Sequence, residues 1–288
     1  MANLDLFGNE IIEDVLLRDK FIEPPFSVLD TKSGNWQKRK KMWLQRGLKS
    51  EVGRDAKAFN MNDWAKDKIG GNIPSDVSVF DPALCEVLYH WFCPENGTIL
   101  DPFAGGSVRG IVANYLGYKY TGIDIRQEQI DSNREQAMDI LPIDKQPQWY
   151  VGDSNVLLDD NWQTKFDMVM SCPPYADLEV YSDLDGDISN KPYKQFLELY
   201  ESIIAKSCKL LKSGGYACFV VGEVRDKNGF YIGFVPDTIK AFEKCGMKFY
   251  NEAILLNSLA SASMRANGNM KSKKLVKVHQ NVLIFIKP

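Results

Sequence analysis

The sequence predicts an α/β fold, a largely parallel seven-stranded sheet with an antiparallel last strand, preceded by an N-terminal basic extension. Seven short apolar or β-branched runs, each bounded by Gly, Pro, Asp or Asn, alternate with stretches of helical periodicity. Strand alternating with helix implies a parallel sheet covered on both faces. The last connection, 257–276, is too polar and too rich in Gly, Ser and Asn for a packed crossover helix. The strand after it is therefore expected to run backwards.

In chain order the strands are expected at 98–101 (TILD), 119–123 (KYTGI), 148–151 (QWYV), 166–170 (FDMVM), 215–221 (GYACFVV), 247–255 and 278–286. Helices are expected at 106–116, 127–139, 192–212 and 233–245. The third has apolar positions Phe196, Leu199, Ile203, Ile204, Leu210 and Leu211. The segment KSGNWQKRKKMWLQRGL reads as a basic helix punctuated by tryptophan. Trp36, Trp43 and Trp64 either anchor it to a core or face a polyanion. Residues 1–73 are set apart as the extension and 74–288 as the α/β domain.

Length and composition, 288 residues with 44% hydrophobic and 25% charged, suit a globular chain with a sizeable core. No apolar stretch reaches the roughly 18 residues of a membrane span, and the acidic N-terminus is unlike a signal peptide. A cytoplasmic protein is expected. Six cysteines without a CxxC pair and two histidines give no metal-ligand spacing, so no metal is expected.

The net charge of −3 hides an asymmetry. Lys32 to Arg54 holds eight Lys or Arg against one acid, Glu51, and Ala253 to Pro288 holds six against none. Two such runs point to a polyanionic partner. Lys38, Arg39, Lys40 and Lys41 in the first, and Arg265, Lys271, Lys273 and Lys274 in the second, are its candidate contacts.

After TILD, the turn Asp101-Pro102-Phe103-Ala104-Gly105-Gly106 leads into a helix whose first amides are free, and its glycines admit a ligand close to the backbone. The turn lacks the GxGxxG spacing of dinucleotide folds. Asp124, closing the next strand before Ile125, is placed to accept from ribose hydroxyls. Asp153, followed by Ser154 after the third strand, is placed to accept from an adenine amino group. Singly each acid reads as a helix cap; three at successive strand ends read as a cofactor site.

The fourth strand empties into Ser171-Cys172-Pro173-Pro174-Tyr175. Prolines donate no hydrogen bond and fix φ, so the carbonyls of Cys172 and Pro173 become rigid acceptors. Two acceptors gripping an exocyclic amine favour its pyramidal, nucleophilic form, and Tyr175 offers a ring against which an extruded base stacks.

The order DPFAGG, TGID, GDS and CPPY resembles the S-adenosylmethionine-dependent amino-methyltransferases of DNA, the N6-adenine and N4-cytosine type. The fuller text SCPPYADLEVYSD, with SVFDPALCEVLYHWF and KVHQNVLIFIKP, is similar to methylases encoded by phages and prophages. The resemblance implies a Rossmann-like methyltransferase fold, S-adenosylmethionine as cofactor, double-stranded DNA with a flipped base as partner, a setting in restriction-modification, and a bacterial or phage-infected cytoplasm. It implies that Asp101, Phe103, Gly105 and Gly106 line the methionine end of the cofactor, Asp124 its ribose and Asp153 its adenine. Ser171 to Tyr175 become the catalytic loop. The family usually places Asp, Asn or Ser before Pro-Pro where this chain has Cys172, so either the Pro173 carbonyl carries the work or Ser171 substitutes. Cys172 also admits C5 methylation of cytosine through a thiolate. An RNA or protein amide methyltransferase, and an inactive cofactor-binding module, complete the alternatives.

Beyond the loop, Asp177, Glu179, Tyr181, Asp183, Asp185 and Asp187 form an acidic run, read as a lid or as a solvated loop. Glu223 and Arg225 are expected as an ion pair facing the pocket or within the structure. His279 reads as a satisfied strand residue.

Overall fold

The computed structural model describes residues 16–49, 80–159, 162–175, 184, 186–257 and 262–288. Trp64, Arg54 and the acidic residues from Asp177 to Asp185 lie outside the described residues. Eight strands form one sheet: β1 (Val28–Asp30), β2 (Thr98–Asp101), β3 (Lys119–Asp124), β4 (Gln148–Val151), β5 (Phe166–Ser171), β6 (Leu211–Val221), β7 (Lys248–Leu256) and β8 (His279–Ile286). Their spatial order is β1-β7-β8-β6-β5-β2-β3-β4. All pairings are parallel except those of β8, which runs antiparallel to both β6 and β7. The fold is a Rossmann-like α/β methyltransferase fold, with the reversed last strand that the sequence predicts.

The strand count is eight rather than seven. β1 supplies the extra edge, pairing Val28, Leu29 and Asp30 with Ile254, Leu255 and Leu256. Three residues carry too little period-2 pattern to announce a strand; β7 templates this one.

The helices are α1 (Leu17–Phe21), α2 (Gly34–Gln45), α3 (Pro82–Phe92), α4 (Val108–Tyr115), α5 (Gln127–Ile140), α6 (Ser154–Leu157), α7 (Tyr193–Leu210), α8 (Phe234–Lys244) and α9 (Ala262–Lys271). Helix α3 is not among those expected from the sequence, although its start is legible. Asp81 accepts from the Ala83 amide and Pro82 fills the first helical position. The 257–276 connection, read as a loop too polar for a packed crossover helix, holds α9. That helix lacks an apolar stripe, so periodicity does not reveal it.

Alternation along the strands sorts the core onto two faces. Ile99, Met168, Met170, Cys218, Val220, Val282 and Ile284 pack with α3, α4 and α5, and with Trp36 and Trp43 of α2. Leu100, Val169, Ala217, Phe219, Val221, Leu283 and Phe285 pack with α7 and α8. Trp36 is 1% exposed and Trp43 4%, so these tryptophans anchor α2 instead of facing a partner. Burying a large side chain stabilises by roughly 1.5–3 kcal/mol, which fixes a helix whose outer face is otherwise highly charged. Among the described residues no helix is long and apolar enough to cross a membrane.

Candidate active site

The chain runs outward through β2, β3 and β4, then returns to lay β5 on the other side of β2. This reversal opens a crevice at the carboxyl ends of β2 and β5, where open α/β sheets bind ligands. The glycine corner leaves β2 there and the Pro-Pro-Tyr loop leaves β5 beside it. Because β8 is antiparallel, its first residues, His279 and Gln280, reach the same edge.

The two corners are bonded to each other. The Ser171 hydroxyl donates to Asp101 Oδ1 at 2.5 Å, across 70 residues of chain. Asp101 has 0% exposure and also accepts from Arg109 Nε at 2.5 Å, the Tyr120 hydroxyl at 2.7 Å and the Phe103 amide at 3.1 Å. Arg109 donates in turn to the Phe103 and Ala104 carbonyls. Burial opposes the Arg109 charge, but the charge and hydrogen bond of Asp101, with Tyr120 and Cys172, together outweigh it and raise its pKa. Asp101 and Arg109 thus form the buried strut of the corner, and what Asp101 offers a cofactor is the shape it holds. Pro102 and Ala104 are buried beside it, and the half-buried Phe103 ring lies 5.9 Å from that of Tyr200.

The partly exposed shelf lies one strand further out. Asp124 accepts from the Gly105 amide through Oδ2 and from the Arg126 amide through Oδ1, both at 2.9 Å. Gly105 takes φ 50°, a left-handed turn that favours glycine, and its carbonyl accepts from Asn133. Burial raises the Asp124 pKa above its ordinary value, and Asp187 adds to the effect. Asp153 caps α6 through the Asn155 amide, and the Ser154 hydroxyl donates to the Pro102 carbonyl at 2.6 Å, tying the third strand end to the corner. The chain arriving from residue 184 sets Gly186 on this shelf. A Cβ there would stand 2.9 Å from Ile125 Cδ1 and 3.2 Å from Asp153 Cβ.

A carboxylate has about four acceptor positions. Asp124, with two amides bound, keeps capacity for ribose hydroxyls, and Gly105, Gly106, Ile125 and Asp153 beside it are all half-buried. The acceptor set and the close backbone therefore fit S-adenosylmethionine. Among the described residues no group of three or more His, Cys, Asp or Glu is arranged to hold a metal.

In the loop after β5, Cys172 is half-buried against the core on the α3 and α4 side, Pro173 is buried and Pro174 half-buried. Tyr175 turns to the other face, edge-on to Phe234 with ring centroids 6.0 Å apart. Its hydroxyl accepts from Gln280 Nε2 at 2.7 Å, and Gly222 lies beside the ring. Ser171, one of the two candidates for holding an amine, spends its hydroxyl on Asp101.

Sequence reasoning missed Arg109, Asn133, Gly186 and Gln280. The signal for Arg109 was its place two residues beyond Ser107 on the helix that leaves the corner. Gln280 had no local signal, because strand order alone carries it to Tyr175. Glu223 and Arg225 do not pair with each other. Glu223 Oε1 accepts from the amides of Val224, Gly233 and Phe234, while Arg225 turns to Gly229 and Tyr231.

The basic candidates divide. Arg39 pairs with Glu86 at 2.6 Å and Lys40 with Asp81 at 3.2 Å, clamping α2 to α3, whereas Lys38 and Lys41 are exposed. Arg265 lies on α9. Lys271, at the end of that helix, and Lys273 just beyond it are exposed, and Lys274 is half-buried against Gly229.

Fold and shelf define the class: an S-adenosylmethionine-dependent methyltransferase. Residues 21–135 match the N6/N4 DNA methylase family and residues 86–224 match the Eco57I restriction-modification methylases. Over these residues the chain is similar to the N6/N4-type DNA methylases. No curated protein matches it. Similar solved structures include magnesium protoporphyrin IX methyltransferase from Synechocystis with bound SAM, at 13% identity and TM-score 0.48, with 81% of this chain and 95% of that chain covered. TrmN from Thermus thermophilus is 14% identical with TM-score 0.47, over 72% of this chain and 49% of that one.

Proposed function

We propose that the chain transfers a methyl group from S-adenosylmethionine to the exocyclic amino group of adenine or cytosine in double-stranded DNA. The observation that carries this reading is the Ser171 to Asp101 bond, which sets the Pro-Pro-Tyr loop against the glycine corner. A methyl donor on the shelf and an amine at the loop are then neighbours. When bound, the cofactor supplies an electrophilic methyl on a sulfonium.

The chain's part is to bind and orient. Asp124 accepts from the ribose, Asp153 from the adenine amine, and the half-buried Gly105 and Gly106 let the methionine end lie close to the backbone. The target base leaves the duplex and stacks on Tyr175, which Phe234 and Gln280 hold in place. The Cys172 and Pro173 carbonyls accept the amine hydrogens, so the nitrogen lone pair is released from the ring and aimed at the methyl. With the cofactor bound, it would supply the methyl, an N–C bond replacing its C–S bond, and the surplus amine proton would pass to solvent. No covalent bond to Cys172 is required.

Nucleoside mass spectrometry of DNA from cells expressing the chain tests this. N6-methyladenine or N4-methylcytosine is expected, reduced roughly tenfold or more by Tyr175→Ala because the base loses its stacking platform. Methylation found only in RNA or protein, or 5-methylcytosine abolished by Cys172→Ser, would overturn the proposal.

A further inference from the structure

Between β6 and α8 the chain detours through a tight hairpin that no part of the proposed site uses. Arg225 and Tyr231 form an antiparallel bridge. The Asp226 amide donates to the Phe230 carbonyl at 2.8 Å, the Gly229 amide to the Asp226 carbonyl at 2.9 Å, and the Ile232 amide to the Val224 carbonyl at 3.0 Å. Asp226 Oδ1 takes the Phe230 amide at 2.8 Å. Arg225 donates to the Gly229 carbonyl at 2.8 Å and lays its guanidinium 3.9 Å from the Tyr231 ring. Glu223 pins both feet, through the amides of Val224, Gly233 and Phe234.

This bracing presents apolar rings to water. Phe230 is 71% exposed and Tyr231 51%. A lone exposed hydrophobic residue needs no explanation. A turn cross-braced at base, middle and tip that carries two adjacent exposed rings is different, because fixing it costs conformational entropy that neither ring recovers by burial.

Position and charge identify the partner. The hairpin leaves β6 directly after Gly222, which faces the Tyr175 ring. Lys274 of the α9 side lies against Gly229, and between Lys271 and Lys277 there are four lysines and no acid. Lys227 is exposed on the turn itself. An aromatic tip beside a lysine cluster, at the edge where a base must leave its duplex, fits DNA.

We propose that the hairpin 225–231 is the element that opens the duplex, with Phe230 as a wedge entering the stack where the target base has left. Lys227, Lys271, Lys273 and Lys274 take the flanking phosphates. This rests on the reading of the chain as acting on DNA. Filling the gap offsets the cost of unstacking, and a rigid ring does so without being ordered at the moment of binding.

The test begins with the wild-type chain and labelled S-adenosylmethionine on unmethylated plasmid DNA, from which the modified base and its sequence context are read. Duplexes carrying that site are then made with the target base paired, or opposite an abasic position. Phe230→Ala is expected to lose roughly 10- to 100-fold in kcat/KM on the paired duplex and to stay within about threefold of wild type on the abasic one, where little opening remains to be done. Phe230→Trp keeps most activity on both. Melting temperature and cofactor affinity should not change, since the truncated ring is exposed. An unaltered rate on the paired duplex, or an equal loss on both, overturns the wedge while leaving methyl transfer to DNA intact. Absence of label in any DNA with the wild-type chain removes the DNA reading, and the wedge with it.

Discussion

Asp101 shows how one residue is divided between structure and chemistry. Its local signal, an acid closing a strand before a glycine turn, is that of a ligand-facing group. Its partners are Arg109, Tyr120, Ser171 and the Phe103 amide, all within the protein. Removing one half of a buried ion pair strands the other, at about 3–5 kcal/mol. Asp101→Ala is therefore expected to lower the unfolding free energy measured in urea by that amount, and a variant with wild-type stability would refute the strut. Asp124 is the contrasting case, half-buried with acceptor capacity in reserve. Its carboxyl is raised above the ordinary value, chiefly by burial, so ionisation works against the fold. Stability from this group decreases as pH climbs from the unfolded pKa through the folded one. The proposed ribose contact uses the ionised acceptor, so affinity measured by calorimetry should fall as pH is lowered from 7 into that raised range. Asp124→Asn should flatten the dependence. Affinity independent of pH in the wild type would remove Asp124 from the ribose site. The sequence marks both acids; their different surroundings come from neighbours on other strands.

At the scale of elements, α2 separates two jobs that its sequence merges. The run Lys38-Arg39-Lys40-Lys41 reads as one basic patch, yet Arg39 and Lys40 are committed to Glu86 and Asp81, and Trp36 and Trp43 are core. Reversing Lys38 and Lys41 to Glu is expected to weaken DNA binding broadly and to reduce the salt slope by about one for each phosphate no longer neutralised, with the melting temperature unchanged. Arg39→Glu sets two carboxylates together and should instead loosen α2 from α3, visible as a lower melting temperature. Binding indifferent to Lys38 and Lys41 would take α2 out of the DNA surface. The hairpin 225–231 is the opposite lesson. Its sequence, RDKNGFY, announces a turn, but nothing local says that its tip is braced and exposed, since Glu223 pins its feet from outside.

Over the whole molecule, the sheet acts as a collector. Parallel strands deliver their carboxyl ends to one edge, the reversal between β2 and β5 opens a crevice there, and the antiparallel β8 brings its own beginning to the same place. What the sequence by itself determined were the alternation of strand and helix, the reversed last strand and the glycine and proline corners. These rest on local periodicity and on the restricted φ of a few residues, physics that acts over short stretches of chain. Which corners meet was decided by the tertiary structure. The Ser171 to Asp101 bond spans 70 residues and the Gln280 to Tyr175 bond 105. Such meetings follow from strand order, and strand order follows from burying both faces of the sheet at once, a condition that no single segment encodes. For the same reason β1 exists only where β7 offers it an edge.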